Sequence, residues 1–490
     1  MVSKLKKLII ITDPLFVRNY IQTNAFEKIL DDDTHIACIR GIASEEIIKK
    51  YWNFSGDYSV SKINEELFSY VSMLLMYENR KLNKGFYFYF KRHNITVYYK
   101  SIKLKKIVSR YIRNKFLQVI IIQILELLRP FRQFKKLLVL SSIITISSLG
   151  LTKLLLNIYR YFLPLNYDLD QIMLNVQPDL VLIPNGGLDS AVAEVMNLSS
   201  KKYNYKTMLL IDNWDNLCGK SRFAFSPDFL SVWGEQAKGH AINFQGFDSN
   251  KVYLAGTPRF DVYTKYKTNK LYKNLANKTN KSLIGFPYIL FAGCWPKFDE
   301  IEVLELLNTL VERFKNDLPE GCKILYRPHP WGENYDYLDL LESKKLQHIA
   351  IDPQMSHKSR PDDYRRRSDF QPQLDYYPAL LEKSEFVICP LSTIIIEASI
   401  MKKNILILAH DDKKNFYNPY IALKNSDYFD RLEEMKNNIF LHKLDELDKV
   451  FYEMITSNLY TNNQALNYYI VSDGTFYPDR IKKICDSLPL

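Results

Sequence analysis

Two stretches decide how this chain reads: Lys323-Ile-Leu-Tyr-Arg-Pro-His-Pro330 and, about sixty residues later, Phe386-Val-Ile-Cys-Pro-Leu-Ser-Thr393 running into Ile394-Ile-Ile-Glu-Ala398. Each is a short apolar run that stops abruptly in polar residues, as a strand buried in a parallel sheet does. Open parallel sheets bind ligands beyond the carboxyl ends of their strands, so Arg327, His329, Ser392, Thr393 and Glu397 are expected on one rim. That rim suits a nucleotide diphosphate. Arg327 and His329 offer charge and donors to phosphate, and the flanking prolines hold His329 at the strand exit. Ser392 and Thr393 are expected to cap a helix whose free amides and dipole favour an anion. Glu397, one turn in, is placed to accept from two ribose hydroxyls.

Apolar runs and helical patterns alternate on either side of these stretches. In the second half, strands are expected at Tyr288–Cys294, Cys322–Tyr326, Gln347–Ile351, Phe386–Cys389 and Ile405–Ala409. Helices are expected at Glu300–Phe314, Tyr376–Lys383 and Ser392–Lys402, with a polar loop over Asp352–Gln373 that carries Arg365–Arg367. In the first half, strands are expected at Leu5–Thr12, Thr34–Arg40, Thr207–Ile211, Phe229–Trp233 and Lys251–Leu254, and Pro178–Ser190 reads as a strand ending in a glycine-rich turn. Phe86–Lys91 and Thr96–Tyr99 read as further strands by aromatic alternation, and Ala43–Tyr51 reads as a helix. Asn269–Ser282, rich in Lys and Asn, reads as the connection between halves. The expected fold is α/β with two Rossmann-like domains, residues 1–268 and 283–490, facing across a cleft; the last helix is expected to return to the first domain. A basic, apolar helical insert occupies about residues 100–165 of the first domain.

The cleft should also receive polar groups from the strand ends of the first domain. Asn185-Gly186-Gly187 brings backbone amides close to a ligand, because glycine tolerates positive φ and close approach. Asp212-Asn213-Trp214-Asp215-Asn216 mixes carboxylates, amides and an indole, a composition suited to a sugar, and offers Asp212 and Asp215 as candidate bases. Arg259 and Asp261 follow a third strand. The plain alternatives are a glycine turn, a capped turn over a buried Trp214, and an Asp261 that pairs with Arg259 or caps a helix.

Arg-Pro-His-Pro after one strand and Ser-Thr with a helical Glu397 after another, in that order, resemble the carboxyl-terminal half of CDP-glycerol glycerophosphotransferases and related capsule or surface-polysaccharide glycosyltransferases. The resemblance runs roughly from Pro178 to the end. It includes Ala255-Gly-Thr-Pro-Arg-Phe-Asp261, similar to the Gly-x-Pro-Arg-x-Asp element at the domain junction of such enzymes, and Asp473-Gly474 with Asp479-Arg480-Ile481, similar to their closing helix. It implies the GT-B fold and group transfer from a nucleotide-activated donor to an acceptor hydroxyl, with no cofactor and no metal. Arg327, His329 and the amides at Ser392 and Thr393 would neutralise the leaving phosphate. The first domain of related glycerophosphotransferases often supplies a histidine where this chain has Asn185-Gly186-Gly187. That departure favours sugar transfer over phosphoglycerol transfer. The implied partners are a nucleotide-sugar donor and a glycan or lipid-linked acceptor of capsule, LPS or teichoic type. A UDP-sugar 2-epimerase and a non-catalytic membrane-associated assembly protein are the readings from other classes.

At 490 residues, 47% hydrophobic and 14% aromatic, the chain is long and apolar enough for several cores. Six cysteines without CxxC or finger spacing read as reduced, buried thiols. Leu8–Ile11 is too short for a signal-peptide core and reads as a strand. Between Lys103 and Arg160 stand twelve basic residues and one acid, Glu126, which accounts for the whole net charge of +11. Leu137–Thr152, within this region, is uncharged but shorter than the ~20 residues a spanning helix needs. A basic, apolar helix pair lying on the anionic cytoplasmic leaflet is therefore expected, with the protein peripheral at the inner face of the cell membrane. No recognition motif accompanies these cations, so nucleic acid is not expected.

Overall fold

The computed structural model describes residues 5–42, 53–91, 129–187, 189–294, 298–329, 341, 344, 346–355, 373–415, 418–456 and 464–489. Its apolar runs form two parallel sheets. The first contains β1 (Lys7–Ile11), β2 (Thr34–Ile39), β3 (Asn53–Tyr58), β4 (Leu180–Asn185), β5 (Lys206–Ile211), β6 (Phe229–Val232) and β7 (Val252–Leu254), ordered β3-β2-β1-β4-β5-β6-β7. The second contains β8 (Tyr288–Ala292), β9 (Lys323–Arg327), β10 (Ile349–Ile351), β11 (Ser384–Pro390), β12 (Ile405–Leu408) and β13 (Asn438–Leu441), ordered β10-β9-β8-β11-β12-β13. In each sheet the chain winds outward on one side of its first strand and then returns to the other. The order therefore reverses between β1 and β4 and between β8 and β11, and a crevice opens at the carboxyl ends there. These are two Rossmann-like α/β domains of GT-B type.

Both faces of the first sheet are covered, which is why β1 and β4 are buried along their whole length. Leu8 and Ile10 pack with Leu169 and Val195 on one side, and Ile9 and Ile11 with Phe16 and Tyr20 on the other. The helix Tyr477–Ser487 closes that second side through Tyr477, Ile481 and Ile484. Two of the motif regions meet there. Arg480 Nε donates to the Ala255 carbonyl at 2.7 Å, and Asp261 Oδ2 accepts from the Tyr477 amide at 2.7 Å. Asp261 is thus a half-buried clamp on the returning helix, correcting its assignment to the cleft; desolvation pushes its carboxyl up to about 7.

Trp214 is also corrected. It is 3% exposed and lies across the domain boundary, with its ring 5.5 to 5.9 Å from those of Tyr428, Phe429 and Tyr469. An indole enclosed in this way fixes the two domains against each other and is unavailable to a sugar. Trp214→Ala is expected to cost about 3–5 kcal/mol of stability, read by denaturant unfolding. A loss below about 1 kcal/mol would return the residue to ligand binding.

Several expected elements take another form. Residues 84–91 are helical: Asn83 accepts from the Phe86 amide at 3.2 Å, and the helix is packed from more than one direction, so Phe86, Phe88 and Phe90 are all buried and imitate strand alternation. The polar stretch after Asn269 is the helix Lys270–Leu283, capped by the Asn269 side chain at 3.0 Å to the Tyr272 amide. Its Tyr272 and Ala276 pack on the core shared by the domains, and Lys273 pairs with Glu382. Lysines and asparagines diluted that stripe in the sequence. The edge strand β3 is polar and half-exposed, so no apolar run announced it. All six cysteines are buried and free. The expectations at Ala43–Tyr51, Thr96–Tyr99 and Arg365–Arg367, and residues 103–128 of the basic insert, lie outside the described residues.

Candidate functional site

β9 delivers Arg327 to the carboxyl end of the second sheet, where it is 4% exposed. β10 runs beside β9 and places Asp352, fully buried, against it: Arg327 Nη1 donates to Asp352 Oδ2 at 2.6 Å. The Tyr376 hydroxyl and the Gln354 amide each donate to Asp352 Oδ1 at 3.0 Å. The guanidinium also lies 4.2 Å from the Tyr377 ring centre. Burial opposes the arginine's charge, but Tyr377 and Asp352 outweigh it and raise its pKa. Its Nη2 is buried and has no acceptor among the described residues.

His329 follows on the same exit, half-buried beside the turn after β8. Gly293 in that turn donates to the Arg327 carbonyl at 2.8 Å, and a Cβ there would stand 3.2 Å from the His329 nitrogen and 2.9 Å from the Glu300 carboxylate. Glycine is required by this close approach. Glu300 accepts from the Tyr326 hydroxyl and from the Cys294 amide, bracing the exits of β8 and β9 together; burial pushes its carboxyl up to about 7.

After β11, Ser392 and Thr393 are half-buried at the switch point and lead into the helix Ile394–Ile400. Thr393 occupies the N-cap position with helical backbone angles and no side-chain cap bond, which corrects the expectation that this pair caps the helix through its hydroxyls. Glu397 lies in the first turn, and its Oε2 accepts from the Tyr263 hydroxyl at 2.9 Å. Tyr263 belongs to the connecting helix Asp261–Thr268, so this bond ties the donor rim to the domain junction.

The facing rim is built around Asp212, at the end of β5 and 2% exposed. Both its oxygens accept from Asn19 Nδ2 at 3.1 Å. Asn19 and Arg18 sit in the π turn Val17–Ile21 that follows β1, and Arg18 Nε donates to Asn19 Oδ1 at 3.2 Å. Burial pushes the Asp212 carboxyl up to about 6, against the opposing pull of Arg259, Asn19 and Arg18. Arg18 has Arg259 and Asp212 of its own domain within electrostatic reach, and also Tyr377 and Glu397 of the other. The two rims therefore meet at Arg18. Arg259 lies 4.7 Å from the Trp233 ring, and its Nε and Nη2 are buried without an acceptor among the described residues.

The remaining candidates serve the scaffold. Asn185 Oδ1 accepts from the Gly187 amide at 2.7 Å, while the Asn185 carbonyl takes the Asp212 amide at 3.0 Å and Asn216 Nδ2 at 2.9 Å. Gly187 has φ +106°, and Lys220 lies over the turn with its ammonium donating to the Gly186 carbonyl. A Cβ at Gly187 would meet Lys220 Cδ, so the lysine side chain lies against this half-buried turn. Asn213 Oδ1 accepts from the Trp214 amide at 3.2 Å. Asp215 Oδ2 accepts from the Tyr89 hydroxyl at 3.3 Å and its carbonyl from the Gly219 amide at 2.8 Å, which directs it to the helical stretch 84–91. The two candidate bases thus separate, and Asp212 alone joins the cluster facing Glu397.

Sequence reasoning missed Arg18, Asn19, Asp352, Tyr263 and Tyr377. The available signal was positional: Arg18 and Asn19 follow the first strand, where a doubly wound sheet reverses, and Asp352 directly follows an apolar run.

No protein-family model matches the chain, and no curated protein matches it. Solved structures do share its fold. A putative UDP-N-acetylglucosamine 2-epimerase from Listeria monocytogenes superposes with a TM-score of 0.50 at 12% identity, covering 99% of this chain and 97% of its own. UDP-GlcNAc 2-epimerase from Methanocaldococcus jannaschii, in complex with UDP-GlcNAc and UDP, gives 0.49 at 13%, covering 98% and 99%. HepE from Anabaena, in complex with UDP and glucose, gives 0.43 at 10%, covering 99% and 100%.

Proposed function

We propose that the cleft binds a nucleotide sugar and that the chain is a glycosyltransferase, moving the sugar to an acceptor hydroxyl in surface-polysaccharide synthesis. The observation that carries this reading is the set of unmet donors. Arg327 Nη2 and Arg259 Nε and Nη2 are buried guanidinium nitrogens without acceptors among the described residues. An unmet buried donor costs about 1–3 kcal/mol, more when charged, so a site that keeps such groups is built to receive an anion. A diphosphate meets them best. Arg327 and His329 would take the phosphates and the developing charge of the leaving nucleotide, and Glu397 the ribose. Asp212, with a carboxyl near 6, is ionised at neutral pH yet basic enough to accept the proton of an acceptor hydroxyl.

A second reading, a UDP-sugar 2-epimerase, is favoured by the likeness to the Listeria protein. Incubation with UDP-sugars alone separates the two: an epimer appearing without acceptor selects the epimerase, and consumption that requires an acceptor selects the transferase. Calorimetric titration with UDP, CDP, GDP and their sugars tests the shared premise, and no binding to any of them would remove both readings. Within that assay, His329→Ala and Glu397→Ala should each weaken nucleotide binding by about 1.5–3 kcal/mol, roughly tenfold to over a hundredfold, with cooperative unfolding retained. Wild-type affinity in both purified variants would remove the donor-rim assignment.

A further inference from the structure

The helices Arg129–Ser148 and Thr152–Phe162 meet around Leu149-Gly150-Leu151, and their segments Leu138–Ser148 and Thr152–Phe162 are bent by 114°. One side of this hairpin packs inward: Ile143 joins Leu74, Met76 and Phe90, while Tyr159 and Leu163 join Val71, Leu75 and Ala224. The outward side is apolar as well. Leu151, Leu154, Ile158, Tyr161 and Phe162 recur at helical spacing and, with Leu165 just past the helix, are all exposed, Tyr161 by 76% and Phe162 by 72%. A surface helix ordinarily turns polar residues to water on that face, and single exposed apolar side chains need no explanation, whereas a continuous stripe of them marks a partner. The charge identifies the partner. From Arg129 to Tyr167 the chain carries six basic residues and no acidic one.

We propose that this hairpin docks the protein on an anionic lipid bilayer. The stripe ending in Tyr161 and Phe162 enters the boundary between headgroups and acyl chains, and the exposed Lys153 pairs with lipid phosphates. A second copy of the chain is the poorer occupant, because the same cationic region would face itself. Among the described residues no single helix is long and apolar enough to cross a membrane, and the bend prevents the two segments from forming one straight span. The hairpin is also tied to the first domain's sheet. Arg160 Nε donates to the Ala224 carbonyl at 2.7 Å, within the connection between β5 and β6 whose first residue is Asp212.

Full-length protein sedimented with vesicles tests this directly. Binding is expected to phosphatidylcholine vesicles containing phosphatidylglycerol, about tenfold or more tighter than to phosphatidylcholine alone, and to weaken at high salt. Tyr161→Ser with Phe162→Ser should weaken it by about tenfold or more at an unchanged melting temperature, since both side chains are already in water. Lys153→Glu, also at an exposed position, should weaken binding and flatten its salt dependence. Protein that stays in the supernatant with anionic vesicles at low salt overturns the proposal, as does a double serine variant that binds like wild type. A concentration-dependent dimer abolished by that variant, without vesicle binding, would assign the face to a second copy. Release by detergent alone would replace surface docking with deep insertion.

Discussion

Asp212→Asn is expected to lower turnover by about 10²- to 10⁴-fold with little change in nucleotide affinity, the range over which a general base acts. The substitution keeps the side-chain shape and removes the proton acceptor. It also removes a counter-charge to Arg18 and Arg259, so any change in affinity for an anionic nucleotide should be toward tighter binding. The pH profile gives an independent reading. With its carboxyl near 6, the wild-type protein should lose kcat/KM as the pH falls through about 6, and the variant should lack that limb. Stability changes in the opposite sense. Burial raises this group's folded pKa above its ordinary value, so between about pH 4 and 6 the folded state holds more protons here than the unfolded chain does. The stabilisation from this group is present below that window and is lost as the pH rises through 6. The variant should therefore show a smaller fall in melting temperature across the window. Normal turnover at saturating nucleotide, combined with poor nucleotide binding, would instead move Asp212 to the donor side.

Arg327→Met should cost about 3–5 kcal/mol of stability and abolish measurable nucleotide binding. The stability loss comes from Asp352, left fully buried with its countercharge gone. The double variant Arg327→Met with Asp352→Leu separates structure from binding. Replacing both charges by apolar groups should recover a good part of the stability, because a buried pair nets little over a well-packed hydrophobic one. Recovery will be incomplete, since the Tyr376 hydroxyl and the Gln354 amide lose their acceptor. Nucleotide binding should remain lost. Denaturant unfolding and calorimetry on the three proteins measure both quantities. Wild-type stability in the single variant, or restored nucleotide binding in the double, would remove Arg327 from its assigned role.

The sequence alone determined the strands of both sheets except the half-exposed edge strands β3 and β13, because a strand buried on both faces must be apolar and must stop where the sheet meets water. It therefore placed Arg327, His329, Ser392, Thr393 and Glu397 at one end of one sheet. It also marked the charge imbalance around residues 103–160, a property of composition that folding does not alter. Only the tertiary structure decided which polar strand ends face a ligand and which brace the scaffold. Asp212 and Asp215 are three residues apart in equivalent polar surroundings, yet one shares the field of Arg18 with Glu397 and the other accepts from Tyr89. Trp214, between them, was captured by Tyr428, Phe429 and Tyr469, about two hundred or more residues away in the chain. The helix after Asn269 likewise formed because the second domain supplied a surface for Tyr272 and Ala276. Such outcomes depend on contacts between distant segments, and a local pattern of residues encodes the propensity of each segment but not the identity of its neighbours.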